Sequence, residues 1–358
     1  MSSSTVVVLG AGATRGASFV DPLKNACLPP LDTDFFTQLQ RVRNPKHKKL
    51  IDDVLGDAHE LFGVNFTLTL ETMFTTIEQT IRMVKATRES REWKTAELEN
   101  KRARLMQAIG AVLEESLLRR EGDQMTRDHE DCEHHRKLIE HLQPEDAILS
   151  FNYDCLVDHM LRKDGSGKWN ARYGYGFDLG QRGRLLEGDK RWQPEKPALK
   201  EKTVRLYKLH GSLHFQIAEK VVQGRDEAYV VLKERPYTKQ HGSLKFTIIP
   251  PEWNKQYDRG VFARVWMLAS AAIHKAEHLI FIGYSLPATD MHSTVLFRTS
   301  VKKEGLKSLV IVNPDHEARR RTRDVVQRGI SKSTRVLSFD FFREFAAADG
   351  RLWRGLRK

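Results

Sequence analysis

Short apolar runs that stop on a glycine or a polar residue limit the fold of this chain more than any other feature. They occupy residues 5–9, 147–151, 204–209, 228–232, 278–282 and 308–312 and are rich in Val, Ile, Leu and Phe. Most are continuous rather than alternating, as expected of strands buried on both faces of a mostly parallel sheet. Helical stretches at 262–275 and 317–328 separate several of them. Strand and helix in alternation predict an α/β fold: a Rossmann-like, doubly wound, mostly parallel sheet.

Residues 10–146 separate the first run from the second, far more than an ordinary crossover needs. Within them, 67–83 and 88–120 hold few helix breakers, and Leu105, Ile109, Val112 and Leu117 recur at helical spacing. Such a stripe is packing surface. Residues 35–143 therefore read as a helical insertion that covers a ligand cleft or makes an oligomer contact. It is set into one domain built from residues 1–34 and 144–340. A second interruption, 164–202, is rich in Gly, Arg and Lys and reads as a loop over the sheet edge.

Composition narrows the class further. A hydrophobic fraction of 40% in 358 residues excludes global disorder. No apolar run approaches the roughly 20 residues that span a bilayer, and the first residues carry no basic segment. The reading is a soluble, cytoplasmic protein without membrane contact. Cys27, Cys132 and Cys155 are an odd number with no CxxC pair, which excludes a disulfide scaffold and a four-cysteine zinc site. The cluster Asp131-Cys132-Glu133-His134-His135, with His129, invites a zinc reading but lacks a second ligand pair and also reads as a solvated face. Net charge is +12, and residues 301–358 hold 15 Lys+Arg against 7 Asp+Glu. A basic tail, 341–358, ends the chain. Charge of this kind either meets nucleic acid, an acidic partner or a phosphorylated ligand, or is a solvated face.

The first apolar run leads into Gly10-Ala11-Gly12-Ala13-Thr14-Arg15-Gly16. Glycines here allow backbone to approach a pyrophosphate, and a following helix start offers free N–H groups. A tight structural turn is the alternative. The pattern is one residue longer than the usual dinucleotide fingerprint, and no acidic residue ends a second strand about 20 positions on. An ordinary nicotinamide dehydrogenase is therefore disfavoured. Three more run ends carry polar groups: Asn152-Tyr153-Asp154, His210-Gly211-Ser212-Leu213-His214, and Gly283-Tyr284-Ser285-Leu286-Pro287 with Asp290 beyond. Asn313 closes a fourth. Sites in open α/β sheets lie at these carboxyl ends.

In this order the motifs resemble those of sirtuins. The wording Phe-Asn-Tyr-Asp (151–154), Lys-Leu-His-Gly-Ser-Leu (208–213) and Ile-Gly-Tyr-Ser-Leu-Pro (282–287) is similar to that of the bacterial sirtuin-like NAD hydrolases of anti-phage defence. Tyr173-Gly-Tyr-Gly-Phe177 and Ile249-Pro-Pro251 fit the same branch. The resemblance runs from Val6 to Asn313 and implies NAD as substrate, with no metal. It implies that Gly10, Gly12 and Thr14, with Ala11 between the glycines, meet the pyrophosphate. Asn152 would hold the nicotinamide ribose and the attacking water, Asp154 the carboxamide, and His210 would be the catalytic base. Gly283, Ser285 and Asn313 match positions around the phosphate and the adenosine ribose. The sirtuin Pro-Asp-Phe-Arg segment is absent, with Pro29-Pro30-Leu31-Asp32 at most its counterpart, and the zinc cysteines are missing. A peptide groove is thereby in doubt, and NAD hydrolysis is favoured over deacylation.

An imidazole can accept a proton from a ribose hydroxyl or water at neutral pH, and an amide can orient without ionising. His214, four residues after His210, is the rival base. Relatives of this compact size resemble those encoded with a HerA-type DNA-translocating ATPase. No G-x-x-x-x-G-K-[ST] loop occurs here, so ATP hydrolysis would come from that partner. Homo-oligomers are common in such a family. The competing classes are an NAD- or ADP-ribose-binding module and a nucleic-acid-binding subunit. Against the latter, the basic residues are not interleaved with aromatics in a recognition motif.

Overall fold

The computed structural model describes residues 4–358 apart from 65–66, 88–93, 123, 145, 181–183, 223–224, 238–247, 250–259, 288, 349–351, 353–354 and 356–358, and does not describe the side chains of 218–228. Its centre is a six-stranded sheet of β1 (Thr5–Leu9), β2 (Ala147–Ser150), β3 (Arg205–Lys208), β4 (His278–Ile282), β5 (Ser308–Val312) and β6 (Arg335–Phe339). The spatial order is β6-β5-β4-β1-β2-β3, and every neighbouring pair is parallel. This is a doubly wound arrangement whose winding reverses between β1 and β4, where such sheets open a crevice at their carboxyl ends.

Every residue of β1, β2, β4 and β5 is buried, which is why their sequences are continuous apolar runs apart from one polar residue at an end of each. Helices cover both faces. Gly260–Lys275 contributes Val265, Ala269 and Ile273, and Glu133–His141 contributes Leu138 and Ile139 to the same core. Phe342, Phe345 and Leu352 also pack there, so the start of the expected basic tail belongs to the sheet core.

Two strand readings change. The run at 228–232 is not in the main sheet: Arg225–Leu232 pairs antiparallel with Phe215–Val222. Apolar character reports burial, not which partner is hydrogen-bonded. β6, absent from the expected runs, is an edge strand with no fully buried residue, so its apolar signal is weak.

The span expected as insertion divides: residues 35–117 build their own core, whereas 132–142 pack into the sheet core. Phe35, Leu39, Val54, Met73, Phe74, Ile77, Leu105, Ile109 and Val112 are buried together, from helices that include Lys48–Phe62, Leu70–Thr87 and Thr95–Leu117. The stretch expected as helix to residue 120 turns into strand Leu118–Glu121, paired with Gln124–His129 around Gly122 at φ +60°. Leu213 joins the insertion core and Tyr153 packs on it. Thr289 donates to Glu71 at 2.8 Å. The insertion thus meets the sheet beside three strand ends.

Candidate active site

The turns after β1 and β4 touch through backbone alone. Gly10 N–H donates to the Ile282 carbonyl at 3.0 Å and Gly12 N–H to the Gly283 carbonyl at 2.9 Å. A Cβ on Gly12 would lie 2.8 Å from Gly283 Cα, and one on Gly283, itself at φ +60°, 2.1 Å from Ala13 N. The glycines are therefore needed to let two strand-end loops approach each other, and the N–H groups of Gly10 and Gly12 serve that contact. Ala11 is exposed and opens the short helix Ala11–Arg15.

Across this seam stands the end of β2. Asn152 Nδ2 donates to the Gly10 carbonyl and to Thr14 Oγ1, both at 3.0 Å. Thr14 Oγ1–H in turn donates to Asp154 Oδ2 at 2.8 Å, and Asp154 Oδ1 accepts from Leu156 N–H at 3.0 Å. The chain of donors settles the orientation of the amide, because only the NH₂ end can serve both acceptors. Asn152 Oδ1 is then left buried without a hydrogen-bond partner among the described residues. An orphaned buried acceptor costs about 1–3 kcal/mol, so it marks a place where a donor from outside the protein fits. A ribose hydroxyl or a water O–H is such a donor. The residues present thus leave an acceptor that fits a hydroxyl donor beside the β1 turn.

His210 follows β3 at the register position matching Asn152, since Ser150 pairs with Lys208 and each residue lies two further on. Its ring packs against the residues on either side of Asn152: edge-on to Phe151 at 5.1 Å and tilted to Tyr153 at 6.2 Å. Its Nε2 is 3.6 Å from Asp290 Oδ2. Asp290 also accepts from Tyr284 O–H at 3.1 Å and Ser293 Oγ–H at 2.8 Å, and the Tyr284 ring stacks on Phe151 at 4.2 Å. Leu286, two residues after Tyr284 and just before Pro287, holds φ +46°, a region costly for a γ-branched side chain.

His214 has other surroundings. Its ring is fully buried, with Nδ1 2.8 Å from Ser212 Oγ and 3.1 Å from Cys155 Sγ. Nε2 lies 3.2 Å from Tyr175 Oη, which donates to Asp158 Oδ1 at 2.6 Å. Burial drives its pKa down to about 3, so the ring is neutral. Asp158 also pairs with fully buried Lys208 at 3.0 Å. Burial works against both charges, but each outweighs the penalty on the other: the ammonium is held above and the carboxyl below its ordinary range.

Asn313 is engaged within the protein. Its Nδ2 donates to the Tyr284 carbonyl at 3.3 Å and its Oδ1 accepts from Asp315 N–H at 3.0 Å, so it braces the β4 and β5 loops. Ser285 is exposed, and its carbonyl accepts from the Arg321 guanidinium. The structure thus gathers Gly10, Gly12, Thr14, Asn152, Asp154, Gly283 and, across Phe151, His210. Ser285 and Asn313 lie at its β4–β5 side. The motif Ile249-Pro-Pro251 falls partly outside the described residues, although Ile249 N–H donates to the His210 carbonyl at 2.9 Å.

In the histidine-rich cluster, Cys132 Sγ lies 3.0 Å from His135 Nδ1 in the sheet core. Among the described residues no three His, Cys, Asp or Glu side chains are grouped to hold a metal. A cavity of about 1110 Å³ opens elsewhere, between the insertion's helices, its hairpin at 118–129 and residues 235–237, lined by Arg43, Lys46, Arg104, Arg120 and Arg127 among others. Several of its cations are spent on Asp57, Glu115 and Glu234, and no end of the parallel strands borders it.

The family profile of the SIR2-like domain matches residues 146–330, just over half of the chain. The protein belongs to this SIR2-like family, whose domains use NAD. No curated protein matches it. Among the described residues no helix is long and apolar enough to cross a membrane.

Proposed function

We propose that the protein is an NAD hydrolase that splits the nicotinamide–ribose bond to give nicotinamide and ADP-ribose, and that it acts as an NAD-depleting effector in anti-phage defence. The observation that carries the catalytic part is the pairing of an oriented amide with an imidazole at adjacent strand ends. Asn152 is locked by Gly10 and Thr14 with Oδ1 unsatisfied, and the His210 ring packs on the residues flanking it.

Nicotinamide in NAD is a cationic leaving group, so the C1′–N bond breaks with its electron pair returning to the ring nitrogen. The site's task is to orient the ribose and a nucleophile around the oxocarbenium-like carbon. Asn152 Oδ1 accepts from the ribose or the water, the water oxygen bonds to C1′, and His210 takes the proton that is lost. A general base contributes about 10²–10⁴ in rate. The defence role, a HerA-type ATPase partner and a homo-oligomeric state rest on the motif resemblance. In the arginine-rich helix His316–Val325, Arg320 pairs with Glu317 and Arg319 with Asp340, which leaves less charge for nucleic acid than the sequence count suggests.

The test is chromatography of NAD incubated with the protein, alone and with a HerA-type partner. Equimolar nicotinamide and ADP-ribose are expected, without NAD-dependent deacylation of acetyl-lysine peptides. Absence of nicotinamide release in both conditions, or robust deacylation, would refute the assignment.

A further inference from the structure

We propose that Asp290 is the positioning residue for His210: its carboxylate fixes the ring tautomer and supports the imidazolium that forms when the ring takes a proton. This rests on reading His210 as the base. Three observations carry it. His210 Nε2 is 3.6 Å from Asp290 Oδ2, and both residues are buried. The carboxylate is itself oriented, since Tyr284 O–H and Ser293 Oγ–H converge on that same oxygen. The β4 loop that delivers it bends through Leu286 at φ +46°, and backbone strain of this kind, about 1–3 kcal/mol, persists where the surroundings over-determine it.

The chemistry follows from the geometry. A carboxylate facing Nε2 favours the proton on that nitrogen, which makes Nδ1 the basic atom. When Nδ1 takes a proton the ring becomes a cation beside a fixed anion, shielded from water. The separation is an ion-pair distance rather than a hydrogen bond, and catalytic contacts are often long before substrate binds. Such a pair orients and stabilises without the carboxylate taking the proton.

Asp290 also caps the helix Met291–Ser300, where its side chain accepts from Ser293 N–H. A purely structural role would therefore be helix capping, and Asn caps as well as Asp. Asp290→Asn keeps the cap and removes the charge, which separates the two roles. The experiment compares wild type, Asp290→Asn, His210→Ala and the double variant by nicotinamide release, with ring ¹⁵N spectra of histidine-labelled protein. The His210 signals are identified by their loss in His210→Ala.

We expect Asp290→Asn to melt close to wild type and to lose about 10–100-fold in kcat with the KM for NAD within about twofold, part of the base's share. The double variant should be no slower than His210→Ala, because residues acting as a unit do not add. The His210 ring should show the Nε2-protonated tautomer in wild type and a mixture in Asp290→Asn. An unchanged tautomer in Asp290→Asn, or a double variant slower than His210→Ala by the full Asp290→Asn factor, overturns the proposal. If wild type releases no nicotinamide, the hydrolase reading fails instead, and the ring spectra still decide whether Asp290 holds His210.

Discussion

His210 and His214 leave the same strand four residues apart, yet one faces the strand-end crevice and the other is sealed in the core. His210 sits against Phe151 and Tyr153 with Asp290 beside it. His214 has both ring nitrogens facing core partners, Ser212 and Cys155 on one side and Tyr175 on the other. Both lie near a buried carboxylate, and the one beside His214, Asp158, is paired with Lys208. Burial keeps His214 neutral, and the nearby Asp158 does not overcome that penalty. His214 is thus held neutral by burial among core partners, while His210 stands at the strand end beside Asp290. The Lys208–Asp158–Tyr175–His214 group ties β3 to the helix Leu156–Asp164 and to the aromatic loop at 173–177. It fixes the strand whose end presents His210.

The largest effect expected on this contrast comes from Lys208→Met. It strands the Asp158 charge in a site with no exposure, and breaking a buried pair costs about 3–5 kcal/mol. Urea unfolding should show that loss, and an unshifted midpoint would mean the pair contributes nothing net. Tyr175→Phe should follow, at about 1–3 kcal/mol, because it leaves Asp158 Oδ1 without its hydroxyl donor. Its rate of NAD cleavage, measured well below the melting temperature, should match wild type. A rate loss as large as that of His210→Ala would erase the distinction between the two regions.

A smaller, graded effect is expected from pH. Burial lowers His214 to about 3 and His159 to about 4, from an ordinary value of 6.5. Below about pH 6.5 the unfolded chain binds protons at these rings that the folded protein refuses, so stability falls as pH drops toward 4 and 3. Melting temperature should decline from pH 7.5 to pH 5, and less steeply in His214→Gln, though that variant starts lower. A flat profile would show that neither ring is held neutral.

Much of this was legible in the chain itself. Residues 5–9, 278–282 and 308–312 are strands, as their largely continuous apolar character required, and the parallel, doubly wound class followed. The grouping of Asn152, Asp154 and His210 follows from strand ends sharing one edge. What escaped was set by partners distant in sequence. Thr14 carries the link between Asn152 and Asp154, residues 138 and 140 positions away, and nothing in the glycine turn marks its hydroxyl for that use. Asp290 stood in view beyond the Gly-Tyr-Ser-Leu-Pro motif, but only the fold brings it to His210. Lys208 finds its counterion in Asp158, 50 positions earlier. The close approach of Gly10 and Gly12 to Gly283 likewise depends on β1 and β4 being neighbours.

The most direct measurement is nicotinamide release by wild type, His210→Ala and His214→Ala, each paired with a thermal melt. The account predicts that His210→Ala loses about 10²–10⁴ in rate while melting near wild type. His214→Ala should melt clearly lower and, where still folded, cleave NAD at a rate close to wild type. Full activity in His210→Ala, or a rate collapse in a stably folded His214→Ala, would contradict the assignment of the base.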